Sequence, residues 1–254
     1  MIYVTGDTHG TFDRIDANAL RAGGINICKG DCLIVCGDFG IFSGNWFESL
    51  KELLFFIRQP YQILWILGNH ENFGSASKIQ ASYWNGGKVK RIIKNSDKMM
   101  VLLNGEVYRI ENKTIFTFGG AQFHEQFEVI DRKEECSKEK VKRLEEAGQF
   151  YRILGKDYWP ESMPSEADYR NGTEKLIAHD YKVDYVISHC APTRIQYMIA
   201  PGYPVNELTE FLDSTAKSVS YRGWFFGHYH KDIKTDDKHR CLYNDVVNIS
   251  EETI

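Results

Sequence analysis

The chain has 254 residues and a mass of 29.4 kDa, which is enough to bury a substantial core in one or two domains. Its content of 43% hydrophobic and 26% charged residues is typical of a globular protein. The formal net charge of -4 and the pI near 6.1 exclude a strong attraction of the whole surface for nucleic acid, but not a local basic patch.

Signals for export and membrane insertion are missing from the sequence. The start, MIYVTGDTHG, lacks the basic, apolar and small-residue regions of a secretion signal. No run approaches the roughly 18 apolar residues that a membrane span needs. The six cysteines form no Cys-x-x-Cys zinc pattern. We therefore expect a cytoplasmic protein with reduced thiols and no membrane partner.

Apolar runs and helical patterns alternate in the first third of the chain. The runs Ile2–Thr5, Cys32–Cys36 and Gln62–Leu67 each precede a glycine and predict buried strands. Thr11–Arg21, capped by its first residue, and Trp46–Ile57 predict helices. This alternation is typical of parallel strands in a layered α/β fold.

The next part of the chain has the pattern of an antiparallel sheet. Met99–Leu103, Glu106–Ile110 and Thr114–Phe118 predict strands, and Asn104-Gly105 is a strong hairpin signal between the first two. The sheet system is therefore expected to be mixed.

Residues from about 121 to 179 are polar and mixed in charge. Lys138–Ala147 predicts a solvated helix, and Ser165 is a candidate N-cap for a helix that runs to Ala178. We interpret the segment as a surface insertion or lid, and a purely structural connector explains it equally well.

The alternation then resumes up to the end of the chain. Asp184–Ser188 and Gly223–Phe226 predict strands, and Asn206–Lys217 predicts a helix. Cys241–Ile249 predicts one closing strand.

Five short polar motifs share one position, because each follows an apolar run. In α/β sheets such strand ends meet at one edge, where ligands bind. The glycines suit a tight turn and a close approach of the backbone to a bound group. The motifs are Gly6-Asp7-Thr8-His9, Gly37-Asp38, Gly68-Asn69-His70-Glu71, Ser188-His189 and Gly227-His228-Tyr229-His230.

Carboxylate, amide and imidazole groups at these positions are suitable ligands for Mn²⁺, Fe, Zn²⁺ or Co²⁺. They are too many for one tetrahedral zinc ion, and they suit two ions roughly 3.5–4 Å apart that share a carboxylate. Each motif alone is typical of a turn or a structural histidine, so the argument depends on their joint occurrence.

The order and spacing of these motifs resemble those of the calcineurin-like metallophosphoesterases, from residue 6 to residue 230. The resemblance implies a single domain over residues 1–254, folded as a four-layer α/β/β/α sandwich of two mixed sheets. It implies that Asp38 bridges two metals and that His70 is the catalytic histidine. It also implies two ligand sets, which are Asp7, His9 and His230 for the first metal and Asn69, His189 and His228 for the second.

One branch of that superfamily fits poorly. After Asp38 the chain reads Phe39-Gly40-Ile41-Phe42, without the further Asp-Arg-Gly of the serine/threonine protein phosphatases. Their pair of substrate arginines is also missing from the sequence.

The predicted activity is hydrolysis of a phosphate monoester or diester by a hydroxide between the two metals, with His70 assisting the leaving group. Manganese is the favoured metal, and Fe, Zn²⁺, Co²⁺ and Ni²⁺ remain compatible. The expected substrate is a phosphorylated small molecule or a nucleotide. The basic segment Lys88–Lys98 leaves a nuclease as the alternative, and a non-catalytic metal-binding scaffold is less favoured.

Several neighbouring residues have two interpretations. Glu71 would hold the ring of His70 or lie in solvent, and Cys190 is expected to be a buried thiol. His124 and Arg194 are candidates to reach the site, although a structural role is favoured for both. Packing is also favoured over a base-stacking lid for four aromatic residues, which are Tyr158, Trp159, Tyr169 and Tyr203.

Overall fold

The computed structural model describes residues 1–41 and 46–250. Phe42, the last residue of the sequence compared above with the protein phosphatases, lies outside this description. The strands in chain order are β1 (Ile2–Thr5), β2 (Cys32–Val35), β3 (Gln62–Trp65), β4 (Ala81–Trp84), β5 (Gly87–Arg91), β6 (Met99–Leu102), β7 (Glu106–Ile110), β8 (Lys113–Phe118), β9 (Glu128–Ile130), β10 (Tyr151–Ile153), β11 (Tyr185–Ser188), β12 (Gly223–Phe226), β13 (Ile233–Lys234), β14 (His239–Cys241) and β15 (Val246–Asn248). The helices are α1 (Ala17–Ala22), α2 (Trp46–Arg58), α3 (Phe73–Ser77), α4 (Ser137–Glu146), α5 (Glu166–Ala178), α6 (Thr193–Ile199) and α7 (Glu207–Ser218).

Two mixed sheets organise the described part of the chain. The first has the strand order β15-β1-β2-β3-β6-β5-β4, and β1, β2, β3 and β6 are mutually parallel. The second has the order β13-β14-β12-β11-β8-β7, with β8, β11, β12 and β14 parallel. Antiparallel strands occupy the edges of both sheets. The prediction of a mixed sheet system is confirmed.

Three apolar clusters show how the layers stack. Val4, Ile34 and Leu64 of the first sheet share one cluster with Tyr185 and Phe225 of the second, so this cluster fills the space between the sheets. Strands buried on both faces need continuous apolar sequence, which explains the short unbroken runs.

The other two clusters lie on the outer faces of the sheets. Leu20 of α1 and Phe56 of α2 pack with Leu33 of the first sheet. Leu176 of α5 and Leu212 of α7 belong to the cluster that covers the second sheet. The predicted four-layer α/β/β/α sandwich is therefore confirmed.

Asn104-Gly105 does not form the predicted hairpin. β6 is already hydrogen-bonded on both sides, to β3 and β5, so the turn after it carries the chain into the second sheet. Two-residue hairpin turns form at Asn85-Gly86, between β4 and β5, and at Glu111-Asn112, between β7 and β8. Both central residues of each turn have positive φ, as the tight turn of a twisted hairpin requires.

Two other predicted elements are wrong in their extent. Within Thr11–Arg21 the Asp16 side chain accepts the N–H of Asn18 and caps α1, so a 3₁₀ turn comes first and the helix starts at Ala17. The closing segment Cys241–Ile249 divides between the sheets, because β14 ends at Cys241 in the second and β15 lies in the first.

The polar segment 121–179 contains a small sheet and two helices. β9 and β10 pair in parallel apart from the two large sheets, with α4 between them in the chain. Ser165 caps α5 through a reciprocal capping box with Asp168, as predicted. No helix in the described residues is long and apolar enough to cross a membrane.

Candidate metal centre

The polar motifs converge at the carboxyl ends of the parallel strands. Asp7, Asp38 and Asn69 follow β1, β2 and β3 in the first sheet. His189 and His228 follow β11 and β12 in the second. Because the strands of each sheet run in the same direction, these side chains meet at one edge of the sandwich.

One group of candidate ligands faces solvent. His230 Nε2 lies 3.3 Å from Asp7 Oδ2 and 2.9 Å from His9 Nε2. The Asp7 carboxylate is buried, whereas the side chains of His9 and His230 are 32% and 48% exposed. Solvent therefore reaches this group from the side of the two histidines.

A second group is buried. His189 Nε2 lies 3.4 Å from Asp38 Oδ2 and 3.1 Å from Asn69 Oδ1. Nδ1 of the same ring lies 2.7 Å from the Cys36 carbonyl oxygen. A bond to that carbonyl leaves Nε2 free to bind a metal, which is the usual outer-shell arrangement of a ligating histidine.

The two groups are joined through carboxylates. Asp7 forms one set of close donor atoms with His9 and His230 and a second with Asp38 and His189, each within 4.8 Å. His228 lies beside them, with its ring centroid 5.1 Å from that of His189. All seven predicted ligands are thus brought together, with donor chemistry that fits divalent metal ions.

Four of these seven residues have left-handed backbone conformations. The φ angles are +46° at His9, +47° at Asp38, +67° at His228 and +49° at His230. Such conformations cost a non-glycine residue on the order of 1–3 kcal/mol and concentrate at functional sites. Here all four lie in the loops that follow β1, β2 and β12.

Three motif glycines make room for the ligands. A Cβ at Gly68 would lie 2.1 Å from Asp38 Oδ1, and one at Gly227 would lie 2.0 Å from Asp7 Oδ1. A Cβ at Gly37 would lie 2.3 Å from His189 Nδ1. The glycines are therefore required by close approach of side chains, in addition to the turns that follow the strands.

In the buried group, the negative charge of Asp38 is balanced by a proton on His189. Burial opposes ionisation of both partners, but the mutual attraction of Asp38 and His189 prevails, lowering the pKa of Asp38 and raising that of His189 to about 9. A metal that binds His189 Nε2 must displace this proton. Burial lowers the pKa of His228, which keeps that imidazole neutral and suitable as a ligand.

His70, the predicted catalytic histidine, lies at the margin of this centre. Its ring centroid is 5.4 Å from that of His9, and its backbone N–H donates to Asp38 Oδ1 at 2.7 Å. Phe123 packs edge-on against the ring, with centroids 5.0 Å apart. Burial lowers the pKa of His70, and Asp38 opposes this effect.

Both interpretations of Glu71 are wrong. Its side chain is buried and accepts the backbone N–H groups of Phe39, at 2.8 Å, and Gly40, at 3.4 Å. Burial and the neighbouring Asp38 charge raise the pKa of Glu71 to about 8. Glu71 thus holds the loop that follows Asp38.

His124 lies close to the centre and is also satisfied by its neighbours. Its ring stacks on Tyr203 with centroids 4.2 Å apart, and it lies 6.2 Å from the ring of His228. The Tyr203 hydroxyl lies 3.3 Å from His124 Nε2. These two residues therefore form a wall beside His228.

The remaining candidates have structural contacts. Cys190 is buried, as predicted, and Arg194 lies 3.7 Å from Asp236. Tyr169 stacks on Phe118 at 5.6 Å between ring centroids. Packing contacts account for this tyrosine, as expected from its sequence context.

Arg152 was missed by sequence reasoning. Its guanidinium lies 4.1 Å from the centre of the Phe123 ring, and its charge contributes to the lowered pKa of His70. The side chain is only 10% exposed and interacts with Glu125. An isolated arginine in a polar segment carries no signal of such a position.

Comparison with known families agrees with the geometry. The model of a family described as calcineurin-like phosphoesterase matches residues 1–232. The chain therefore belongs to the calcineurin-like phosphoesterase family, whose members are metal-dependent hydrolases of phosphoester bonds. No curated protein matches the chain.

Proposed function

We propose that this protein hydrolyses a phosphate monoester or diester of a small molecule or nucleotide, using two divalent metal ions. The observation that carries the proposal is the convergence of ligand side chains from both sheets, with Asp7 common to two sets of close donor atoms. Family membership supports the same class of reaction.

The ligands are assigned to two positions that share one carboxylate. Asp7, His9 and His230 would hold the first ion, and Asn69, His189 and His228 the second. Asp38 would bridge them, because its Oδ2 lies 3.8 Å from His9 Nε2 and 3.4 Å from His189 Nε2. When bound, the ions would supply an activated water near neutral pH and neutralise charge on the phosphoryl oxygens. Oxygen and imidazole ligands make manganese our preferred metal.

His70 would act on the leaving group. Its ring lies beside the solvent-facing histidine His9, and contact with Phe123 fixes its orientation. Burial favours the neutral ring, so proton donation requires the negative charge of the bound phosphate to attract a proton to it. A positioned acid of this kind contributes about 10²–10⁴-fold to rate.

A nuclease is not favoured, because basic side chains of the segment Lys88–Lys98 are engaged within the protein. Lys90 Nζ donates to the Ala76 carbonyl at 2.8 Å, and Lys98 Nζ donates to the Tyr61 carbonyl at 2.6 Å. Arg91 pairs with Asp97 at 2.8 Å. These contacts reduce the charge that the segment offers to a phosphate backbone.

The direct test is hydrolysis of p-nitrophenyl phosphate and bis-p-nitrophenyl phosphate by metal-stripped protein, with and without added Mn²⁺. We expect metal-dependent turnover, and the ratio of the two rates would give the ester preference. Two bound metals without turnover of either ester or of nucleotides would overturn the proposal in favour of a scaffold. The choice of manganese and the cytoplasmic location stay predictions.

A further inference from the structure

A small cavity adjoins the catalytic histidine. It has a volume of about 180 Å³ and lies between the motif that follows β3 and the segment that follows β10. The residues that line it are His70, Glu71, Asn72, Lys156, Asp157 and Trp159. One wall thus belongs to the metal-centre motif and the other to the polar segment 121–179.

The wall formed by residues 156–159 has groups available for a ligand. Among the described residues, the Lys156 ammonium and the Trp159 indole N–H have no hydrogen-bond or ion-pair partner. The Asp157 side chain accepts the backbone N–H of Ile153, which holds its carboxylate in place. Trp159 packs near Phe73, with ring centroids 6.2 Å apart, so its indole has a supported position.

The position of His70 indicates which part of a substrate would occupy this cavity. If His70 gives a proton to the leaving oxygen, the group bonded to that oxygen must lie against the same imidazole. The His9 side of the ring faces the candidate metal ligands, with centroids 5.4 Å apart. The cavity borders His70 and provides space for that group.

The size and charge of the cavity restrict that alcohol. A volume of 180 Å³ corresponds to about six water molecules at about 30 Å³ each, so the cavity suits a small leaving group. Lys156 and Asp157 carry opposite charges. A second phosphate group on the substrate would be attracted by the lysine and repelled by the aspartate. Hydroxyl groups satisfy both, since they donate to the carboxylate and accept from the ammonium and the indole.

We propose that this cavity binds a small sugar or polyol as the leaving group, with Lys156, Asp157 and Trp159 as specificity-determining residues. The inference rests on the proposed phosphoester hydrolysis. The substrate class is the phosphate monoester of a small polyhydroxylated molecule, such as a pentose.

The test compares two primary alkyl phosphates whose leaving groups are similar in length, ribose 5-phosphate and n-pentyl phosphate. We expect the Mn²⁺-loaded protein to prefer ribose 5-phosphate in kcat/KM by at least tenfold. Lys156→Met and Asp157→Asn should each lower that preference roughly tenfold, the loss expected for one hydrogen bond to a charged group, because they slow ribose 5-phosphate far more than n-pentyl phosphate. In Asp157→Asn the amide oxygen of the new side chain would still accept the N–H of Ile153, so the local fold should persist.

Lys142→Met is the matched control, because that lysine is 78% exposed and forms an i,i+4 ion pair with Glu146, outside the set of residues that line the cavity. It should leave both rates unchanged. Equal rates on the two esters, or variants that slow both equally, would overturn the inference while leaving phosphoester hydrolysis intact. Absence of metal-dependent turnover on p-nitrophenyl phosphate, bis-p-nitrophenyl phosphate and nucleotides as well would overturn the proposed function, and this inference with it.

A second measurement reports binding directly. In ¹⁵N-labelled protein loaded with diamagnetic Zn²⁺, the indole resonance lost in Trp159→Phe identifies Trp159. Ribose 5-phosphate should shift this resonance, and n-pentyl phosphate should shift it far less. A resonance that responds equally to both esters, or to neither, would contradict the assignment of the sugar to this cavity.

Discussion

The Asp7 carboxylate accepts the backbone N–H of His228 through both of its oxygens, at 2.9 and 3.0 Å. This contact joins the end of a strand in the first sheet to the end of a strand in the second. It orients the carboxylate independently of any metal, because the donor belongs to the backbone. A ligand held in this way needs little rearrangement when an ion binds.

The shared carboxylate can be identified by comparing two substitutions. Asp38→Asn should weaken metal binding at both positions, and Asp7→Asn only at the position shared with His9 and His230. In Asp7→Asn the amide oxygen can still accept the His228 N–H, so the fold should persist. Metal stoichiometry by elemental analysis, with circular dichroism as the check on folding, measures the difference. If Asp7→Asn removed both ions and Asp38→Asn only one, Asp7 would be the bridge.

Removal of the proposed acid should separate binding from chemistry. His70→Ala should retain both metals and lose about 10²–10⁴-fold in kcat, because the histidine would assist only the reacting phosphoester. His179→Ala is the control, since that histidine caps α5 through a contact with the Lys175 carbonyl. Full activity of His70→Ala would show that another group assists the leaving oxygen.

The close approach at Gly68 predicts sensitivity to a single methyl group. In Gly68→Ala the new Cβ would meet Asp38 Oδ1 at 2.1 Å and His189 Nε2 at 2.7 Å. We expect metal affinity to fall at least tenfold, as measured by calorimetric titration. Gly202→Ala provides the control because nothing lies within 4 Å of a Cβ there. Unchanged affinity in Gly68→Ala would show that the two ligands are not held as closely as described.

The buried carboxyl of Glu71 predicts a pH dependence of stability. Its pKa is raised from 4.5 to about 8, so the unfolded chain loses this proton first as the pH rises. The glutamate therefore reduces stability progressively between about pH 4.5 and about pH 8. In chelator, Glu71→Gln should be the more stable protein at the upper end by more than about 1.4 kcal/mol, the equivalent of one pKa unit.

Urea unfolding of the wild type and Glu71→Gln across that pH range measures this difference. The two free energies of unfolding should converge at the acidic end, where Glu71 is protonated in both states. Parallel curves would mean that Glu71 is ionised in the folded protein, held by the N–H groups of Phe39 and Gly40.

The strands that precede the candidate metal ligands could be predicted from the sequence because each strand is buried on both faces. Such strands need unbroken apolar residues, as in Ile2–Thr5 and Gly223–Phe226, and a polar residue directly after them is conspicuous. The layered fold and the meeting of the motifs at one edge followed from that pattern. The resemblance to a family added the roles of individual residues.

Features that depend on contacts distant in sequence were missed. Asn104-Gly105 has the local sequence of a hairpin turn. Because β6 pairs with β3 and β5, no edge of β6 is left for β7, and the turn joins the two sheets instead. Arg152 approaches the site only because the segment 121–179 folds back towards His70. Trp159 was named from the sequence as a packing or lid residue, but its place beside His70 depends on the same folding. The buried position of Glu71 likewise depends on the loop after β2, which lies more than thirty residues away.

The division of the ligands between the two sheets has a consequence for synthesis of the protein. Asp7, Asp38 and Asn69 leave the ribosome well over a hundred residues before His189, and His230 follows later still. A nascent chain therefore presents only carboxylate and amide oxygens, with His9 as its one imidazole among the assigned ligands. The complete set of ligands forms only after the second sheet has packed on the first. Tight binding of metal is therefore expected only in the fully folded protein.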